Sequence, residues 1–115
     1  MAIQKFEDII AWKKAQDLAV EVYALFSKSK DYGFRDQICR ASVSISNNIA
    51  EGFDRSSHAD FKRFLYIALA SCSEVKSMLY LAERLDYVNS EKATVLKDKC
   101  TETSKIITGF IKALN

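Results

Sequence analysis

Apolar residues recur every three and four positions along almost the whole chain. Phe61, Leu65, Ala68, Cys72, Val75, Leu79 and Ala82 step by 4, 3, 4, 3, 4 and 3; Leu96, Cys100, Thr103, Ile107, Phe110 and Leu114 repeat the pattern. Trp12, Ala15, Ala19, Val22 and Phe26 do so again, widened by Ile9, Leu18 and Leu25. This spacing puts one apolar stripe on each helix, to be buried against other helices. Pro is absent and Gly occurs only three times, so long helices can run unbroken.

The pattern predicts four helices, over about 8–29, 34–53, 57–85 and 90–113. Gly33 marks the first turn, as a residue able to take a left-handed conformation. Gly52 is read as the stop of the second helix. Ser57-His58-Ala59-Asp60 resembles a capping box with Asp in place of Glu, and Asn89-Ser90 supplies another cap. Gly109 is a weak point in the fourth helix. Short connections make consecutive helices antiparallel neighbours. The expected fold is all-α, an antiparallel up-down-up-down four-helix bundle forming one domain over 1–115.

On a wheel at about 100° per residue, the second helix has three faces. Phe34, Ile38, Ala41, Ile45, Ile49 and Gly52 form the core face. Gln37, Arg40, Ser44, Asn47, Glu51 and Arg55 form a polar strip, with Asn48 beside it. The third face carries Cys39, Ser42, Val43, Ser46, Ala50 and Phe53, small or apolar and without charge. Two readings of that dry face stand: a contact between copies of the chain, which is preferred, or a helix enclosed on two sides by its own bundle. The polar strip reads first as a structural network, with Glu51 and Arg55 as a favourable i,i+4 pair, and second as a ligand or nucleic-acid site.

Composition narrows the choices. Seventeen basic and fifteen acidic side chains leave a charge of only +2, which gives no support for a strongly basic nucleic-acid binder. The basic residues that cluster locally, and so are candidate nucleic-acid contacts, are Arg35, Arg40, Arg55, Lys62 and Arg63. Charges within the first five residues and uncharged stretches of at most ten predict no signal core and no membrane span, hence a cytoplasmic protein. Cys39, Cys72 and Cys100 lie 33 and 28 residues apart. No pair has metal or redox spacing, and Cys72 and Cys100 fall on apolar stripes, where free thiols behave as small hydrophobes.

Catalytic chemistry finds no foothold. The single histidine, His58, has no second ligand at metal spacing, and a di-iron site needs two Glu-x-x-His motifs. Gly33, Gly52 and Gly109 are too dispersed for a phosphate-cradling loop. No nucleophile elbow accompanies the serines. The chain is therefore expected to have no catalytic residues, cofactor or metal, with an enzyme using Arg40, Asn47, Glu51 and Arg55 as the least favoured alternative. Trp12, Tyr23, Tyr66, Tyr80 and Tyr87 read as core-edge or interface residues before base-stacking platforms.

The run Tyr32-Gly33-Phe34, Gln37-Ile38, Arg40-Ala41, Val43-Ser44-Ile45, Asn48-Ile49-Ala50-Glu51-Gly52 and Arg55 resembles the bacterial four-helix-bundle family known as the 23S rRNA intervening-sequence or S23 proteins. Phe61, Phe64-Leu65, Ile67-Ala68, Glu74, Leu79, Leu81-Ala82 and Leu85 continue the likeness, and Phe6, Trp12 and Ala15 fit the usual opening. Two departures stand out: Cys39 replaces one of two consecutive basic residues, and Ser46 or Asn47 stands where a proline is usual. The resemblance implies a non-catalytic ring-shaped homopentamer. It also implies kinship with the basic, nucleic-acid-binding accessory proteins of diversity-generating retroelements. The missing basic residue argues against carrying that binding over. The preferred expectation is a self-assembling scaffold whose partner is its own copies, with RNA or DNA, or a nucleic-acid enzyme, as a possible further partner. A dedicated nucleic-acid-binding module is the alternative.

Overall fold

A computed structural model describes residues 3–114. A 3-10 turn over Phe6–Asp8 leads into α1 (Ile10–Phe26), followed by α2 (Tyr32–Phe53), α3 (His58–Arg84) and α4 (Ser90–Ala113), with no strand among the described residues. The four helices form an antiparallel bundle measuring 44 × 22 × 19 Å. α2 packs between α1 and α3, α3 between α2 and α4, and the diagonal pairs do not meet. α1 and α4 close the ring through the sparsest packing of the four. Two ion pairs span that seam, Lys14–Glu102 at 3.2 Å and Lys99–Glu21 at 2.6 Å.

The expected stripes are largely the observed core. All seven residues of the α3 stripe are buried, as are all six of the α2 core face. On α1 the buried set is Ala11, Ala15, Leu18, Val22 and Phe26. Trp12 and Ala19 are only half-buried, because the stripe is centred one position aside and Trp12 turns its ring onto Phe6, 5.3 Å away. In α4, Ile111 takes the buried place expected for Phe110 and Leu114.

The helix ends show where local chemistry acts. α1 is shorter than expected at both ends, since Asp8 belongs to the 3-10 turn and Ser27 caps the helix. Asp31 caps α2 by accepting from the Phe34 amide at 3.1 Å, which satisfies one of the helix's orphan donors. Gly33 therefore lies inside the first turn of α2 with an ordinary backbone, not in a left-handed turn. The left-handed residue is Asp86, at φ 60°. It closes α3 with a double bond of the Schellman type: the Asp86 amide donates to Glu83 O at 3.2 Å and the Tyr87 amide to Ala82 O at 2.9 Å. Ser57 caps α3 through the Asp60 amide and Asn89 caps α4 through the Lys92 amide.

Aromatic rings plug both ends of the bundle. Phe34 stands edge-on to Phe26 and Tyr87, at 5.5 and 5.2 Å. The Tyr87 hydroxyl donates to Asp31 at 2.7 Å and ties the α1–α2 turn to the α3–α4 turn. That hydroxyl, with the Phe34 amide, holds the Asp31 carboxyl below its usual range. At the other end Phe61 meets Phe53 and Phe110 edge-on.

Gly52 does not stop α2. It is buried within the helix and takes no left-handed conformation. A Cβ at this position would lie 2.7 Å from Phe64 Cβ and 2.9 Å from Phe61 Cδ1. The glycine is there so that α3 can begin directly against the backbone of α2.

Candidate functional site

The third face of α2 is covered in part within the chain. Cys39, Ser42 and Ser46 are buried, and Val43, Ala50 and Phe53 are half-buried. α1 supplies the cover: Gln16 Nε2 donates to Ser46 Oγ at 3.1 Å. The hydroxyls of Ser42 and Ser46 turn back onto the Cys39 and Val43 carbonyls, at 2.8 and 3.4 Å. With the hydroxyls satisfied internally, these small residues let α1 approach closely. Of the six residues expected to lie between copies, Ser42 and Ser46 are thus covered inside the single chain, while Cys39 and Val43 line an open groove on the same face. The dryness arises because α2 sits between α1 and α3.

The polar strip splits into two populations. One joins α2 to α3, where Gln37 donates to Glu74 at 3.2 Å and Ser44 and Ser71 share a hydrogen bond of 3.0 Å; beside it Asn48 turns back within α2 and donates to the Ser44 carbonyl at 2.7 Å. The other comprises Arg40, Asn47 and Glu51, which are exposed and have no side-chain partner among the described residues. They lie along an open groove of about 610 Å³ that Tyr23 and Ser27 of α1 also line. The expected Glu51–Arg55 pair does not form, because α2 ends at Phe53 and Arg55 is no longer one helical turn on. Arg55 instead lies over the Phe64 ring, 4.7 Å from its centre.

The candidate nucleic-acid contacts do not make one patch. Arg35 is paired with Asp36 at 2.8 Å and lies over Tyr32, whereas Arg40 stands alone farther along α2. Arg55, Lys62 and Arg63 gather at the α2–α3 turn, roughly 20 Å from Arg40 at the rise of an α-helix. There Arg63 also sits 4.7 Å from the Phe64 centre, so two guanidiniums share one ring. Asp60 holds Arg63 at 3.2 Å. No group of three His, Cys, Asp or Glu side chains among the described residues is placed to hold a metal ion.

A largely apolar, exposed face lies on α3, with the Lys97 ammonium over its Tyr80 ring, 4.0 Å from the centre. Ala59, Arg63, Tyr66, Ala70, Ser73, Ser77, Tyr80 and Arg84 step by 4, 3, 4, 3, 4, 3 and 4, and every one is exposed. Tyr66 is 57% and Tyr80 54% exposed, and Ile67, Leu81 and Leu85 flank them at 40–46%. Between Tyr66 and Ser73 there is no charge. A shallow, mainly apolar groove of about 640 Å³ runs along its first half, past Lys62, Tyr66, Ile67 and Ala70. α3 is therefore apolar on two sides. That explains why its best 18-residue window reaches a mean hydropathy of 1.2 and why it is long and apolar enough, by length and composition alone, to cross a membrane. The signal is present in the sequence as a second 4-3 series interleaved with the core stripe.

Family comparison agrees with the architecture. The model of the family described as 23S rRNA-intervening sequence protein matches residues 7–109. The chain belongs to this family. A crystal structure of a protein of unknown function from the S23 ribosomal protein family, from Bacteroides thetaiotaomicron, is similar over 90% of this chain and 99% of its own. The two share 30% sequence identity and a TM-score of 0.84. No curated protein matches the chain. Membership of the 23S rRNA-intervening sequence family accounts for the four helices, and the Bacteroides relative is itself a protein of unknown function.

Proposed function

We propose that the chain is a non-catalytic, self-assembling bundle of the cytoplasm whose working form is a ring-shaped homopentamer acting as an interaction scaffold. The exposed stripe on α3 carries this reading. Tyrosines alternating with Ala70, Ser73 and Ser77 form a seam at coiled-coil spacing, suited to close helix approach. Large exposed apolar faces on small soluble domains mark contact surfaces. In a ring each contact is heterologous, so the stripe of one copy meets a different surface of the next. The groove along α2, with Val43 half-buried and Arg40, Asn47 and Glu51 free, is the surface we assign to receive it. The family resemblance supplies the number five.

Analytical ultracentrifugation at micromolar concentration tests the proposal. The wild-type chain is expected at about 65 kDa, five copies of 13.0 kDa. Ala70→Arg, at the middle of the stripe, is expected to sediment as a 13.0 kDa monomer with unchanged far-ultraviolet circular dichroism. A folded wild-type monomer would sink the reading.

A second reading, compatible with the first, is phosphate contact at the α2–α3 turn. The shared Phe64 platform favours it, because Arg55 and Arg63 both lie on that one ring with Lys62 next in the chain, and a ring of copies would repeat the cluster in each. Fluorescence anisotropy with a ribosomal RNA fragment is expected to show binding at about 50 mM salt that weakens steeply by about 200 mM. The double variant Arg55→Ala/Arg63→Ala is expected to flatten that dependence. No binding at the lower salt would dismiss this reading.

A further inference from the structure

We propose that the cavity at the end of the bundle where α2 passes into α3 binds a small aryl carboxylate, its ring against Phe53, Phe61 and Phe110 and its carboxylate on Arg55. The hollow arises from unequal helix lengths. α1 has 17 residues, against 22, 27 and 24 for α2, α3 and α4. Its last residue, Phe26, reaches the aromatic plug around Phe34 and Tyr87. The shortfall therefore falls at the opposite end, where the 3-10 turn and the segment before it stand in for helix. Ile3 of that segment and Leu114, just after α4, form two of the walls.

The cavity has the volume and the division of chemistry of a small-molecule site. It measures about 490 Å³, within the usual range of about 300–1,000 Å³. Phe53 and Phe110 stand edge-on to Phe61, at 5.9 and 5.4 Å. Both are only half-buried, as are Ile3 and Leu114. An aromatic ring entering between them would extend this edge-to-face array and remove the remaining apolar surface from water.

The rim selects the charge. Arg55, Ser56, Ser57 and His58, all from the α2–α3 connection, line the same cavity, and no carboxylate lines it among the described residues. Arg55 has no ion-pair partner among the described residues, and its guanidinium lies over the Phe64 ring, 4.7 Å from the centre. That contact restrains the long side chain, so less freedom is lost when it takes up a ligand. Its N–H fork matches a carboxylate in bidentate fashion. The Ser56 and Ser57 hydroxyls and the His58 imidazole add polar groups beside it. Lys62 and Arg63 do not line the cavity, so this site stands apart from the phosphate contact proposed at the same turn.

The test titrates the isotope-labelled full chain with naphthoate and, separately, with naphthamide, its uncharged isostere, and follows the backbone amides by nuclear magnetic resonance. Naphthoate is expected to bind with a Kd of about 1 mM or tighter. Its largest shifts should fall in residues 53–58, 61 and 110–114, which surround the cavity. Naphthamide on the wild type, and naphthoate on Arg55→Gln, should bind about tenfold more weakly. Lys105→Gln removes an exposed cation that does not line the cavity, and should bind naphthoate like the wild type. Ala113→Trp is expected to fill the hollow and abolish binding with unchanged far-ultraviolet circular dichroism. Equal affinity for the acid and the amide, wild-type affinity in Arg55→Gln or in folded Ala113→Trp, shifts centred away from the cavity, or no shift at about 5 mM naphthoate would each overturn the proposal.

Discussion

Gly52→Ala is expected to destabilise the protein by about 2–3 kcal/mol, although alanine is the better helix former by about 1 kcal/mol. The new methyl would stand 2.7 Å from Phe64 Cβ and 3.3 Å from the Phe61 carbonyl oxygen. Neither is the far end of a flexible side chain. Relief requires α3 to move away from α2 at its first turn, and that loosens the contacts of Phe61 with Phe53 and Phe110. For a domain of this size the melting temperature should fall by about 10 °C. Gly109→Ala is the matched control. A Cβ there meets nothing within 4 Å, so the same change in an exposed helix position should stabilise by about 1 kcal/mol. Thermal unfolding of both variants reads the contrast. Equal and positive shifts would refute the close approach of α3 to Gly52.

Ser46→Arg is expected to be more damaging still. Ser46 is 1% exposed, and its hydroxyl is already engaged by Gln16 and the Val43 carbonyl. An arginine there must either bury a charge without a partner or force α1 off α2, at about 3–5 kcal/mol. Set against a total stability of about 5–15 kcal/mol, most of the helical signal should be lost at room temperature or with mild denaturant. The result separates two accounts of the same dry face. If α1 covers Ser46, the variant unfolds. If another copy covered it, the variant would keep its circular dichroism and melting temperature as a monomer and merely fail to assemble. The second outcome would extend the contact between copies to Ser46.

The core was legible because helix burial obeys a simple period. Every residue expected on the α3 stripe and on the α2 core face is buried. The α1 stripe was displaced by one position because Ala11, Ala15, Leu18, Val22 and Phe26 satisfy the same spacing as the set around Trp12. The turns were harder, since they depend on backbone conformation that side-chain type only biases. Gly33 drew attention as a left-handed candidate, yet Asp31 captured the helix start one turn earlier. The left-handed position went to Asp86, which gives no such signal. Dryness on a helix face was visible in α2, but periodicity cannot say whether the cover is the chain's own neighbour or another copy. Arg55 was misassigned for a related reason: a wheel extends past the true helix end, and Glu51 then acquires a partner that has turned toward Phe64. The cavity beside Arg55 was beyond reach, because it depends on how far α1 falls short of its neighbours.

The seam between α1 and α4 gives the bundle a direction of weakness. Its packing is the thinnest in the molecule, and the carboxylate–ammonium bridges across it stand in water, where dissolved ions compete with them. Fraying therefore begins where the chain's first and last helices lie side by side. What stays closed longest is the α2–α3 pair, the most densely packed, so the two outer helices behave as a clasp that ionic strength can ease.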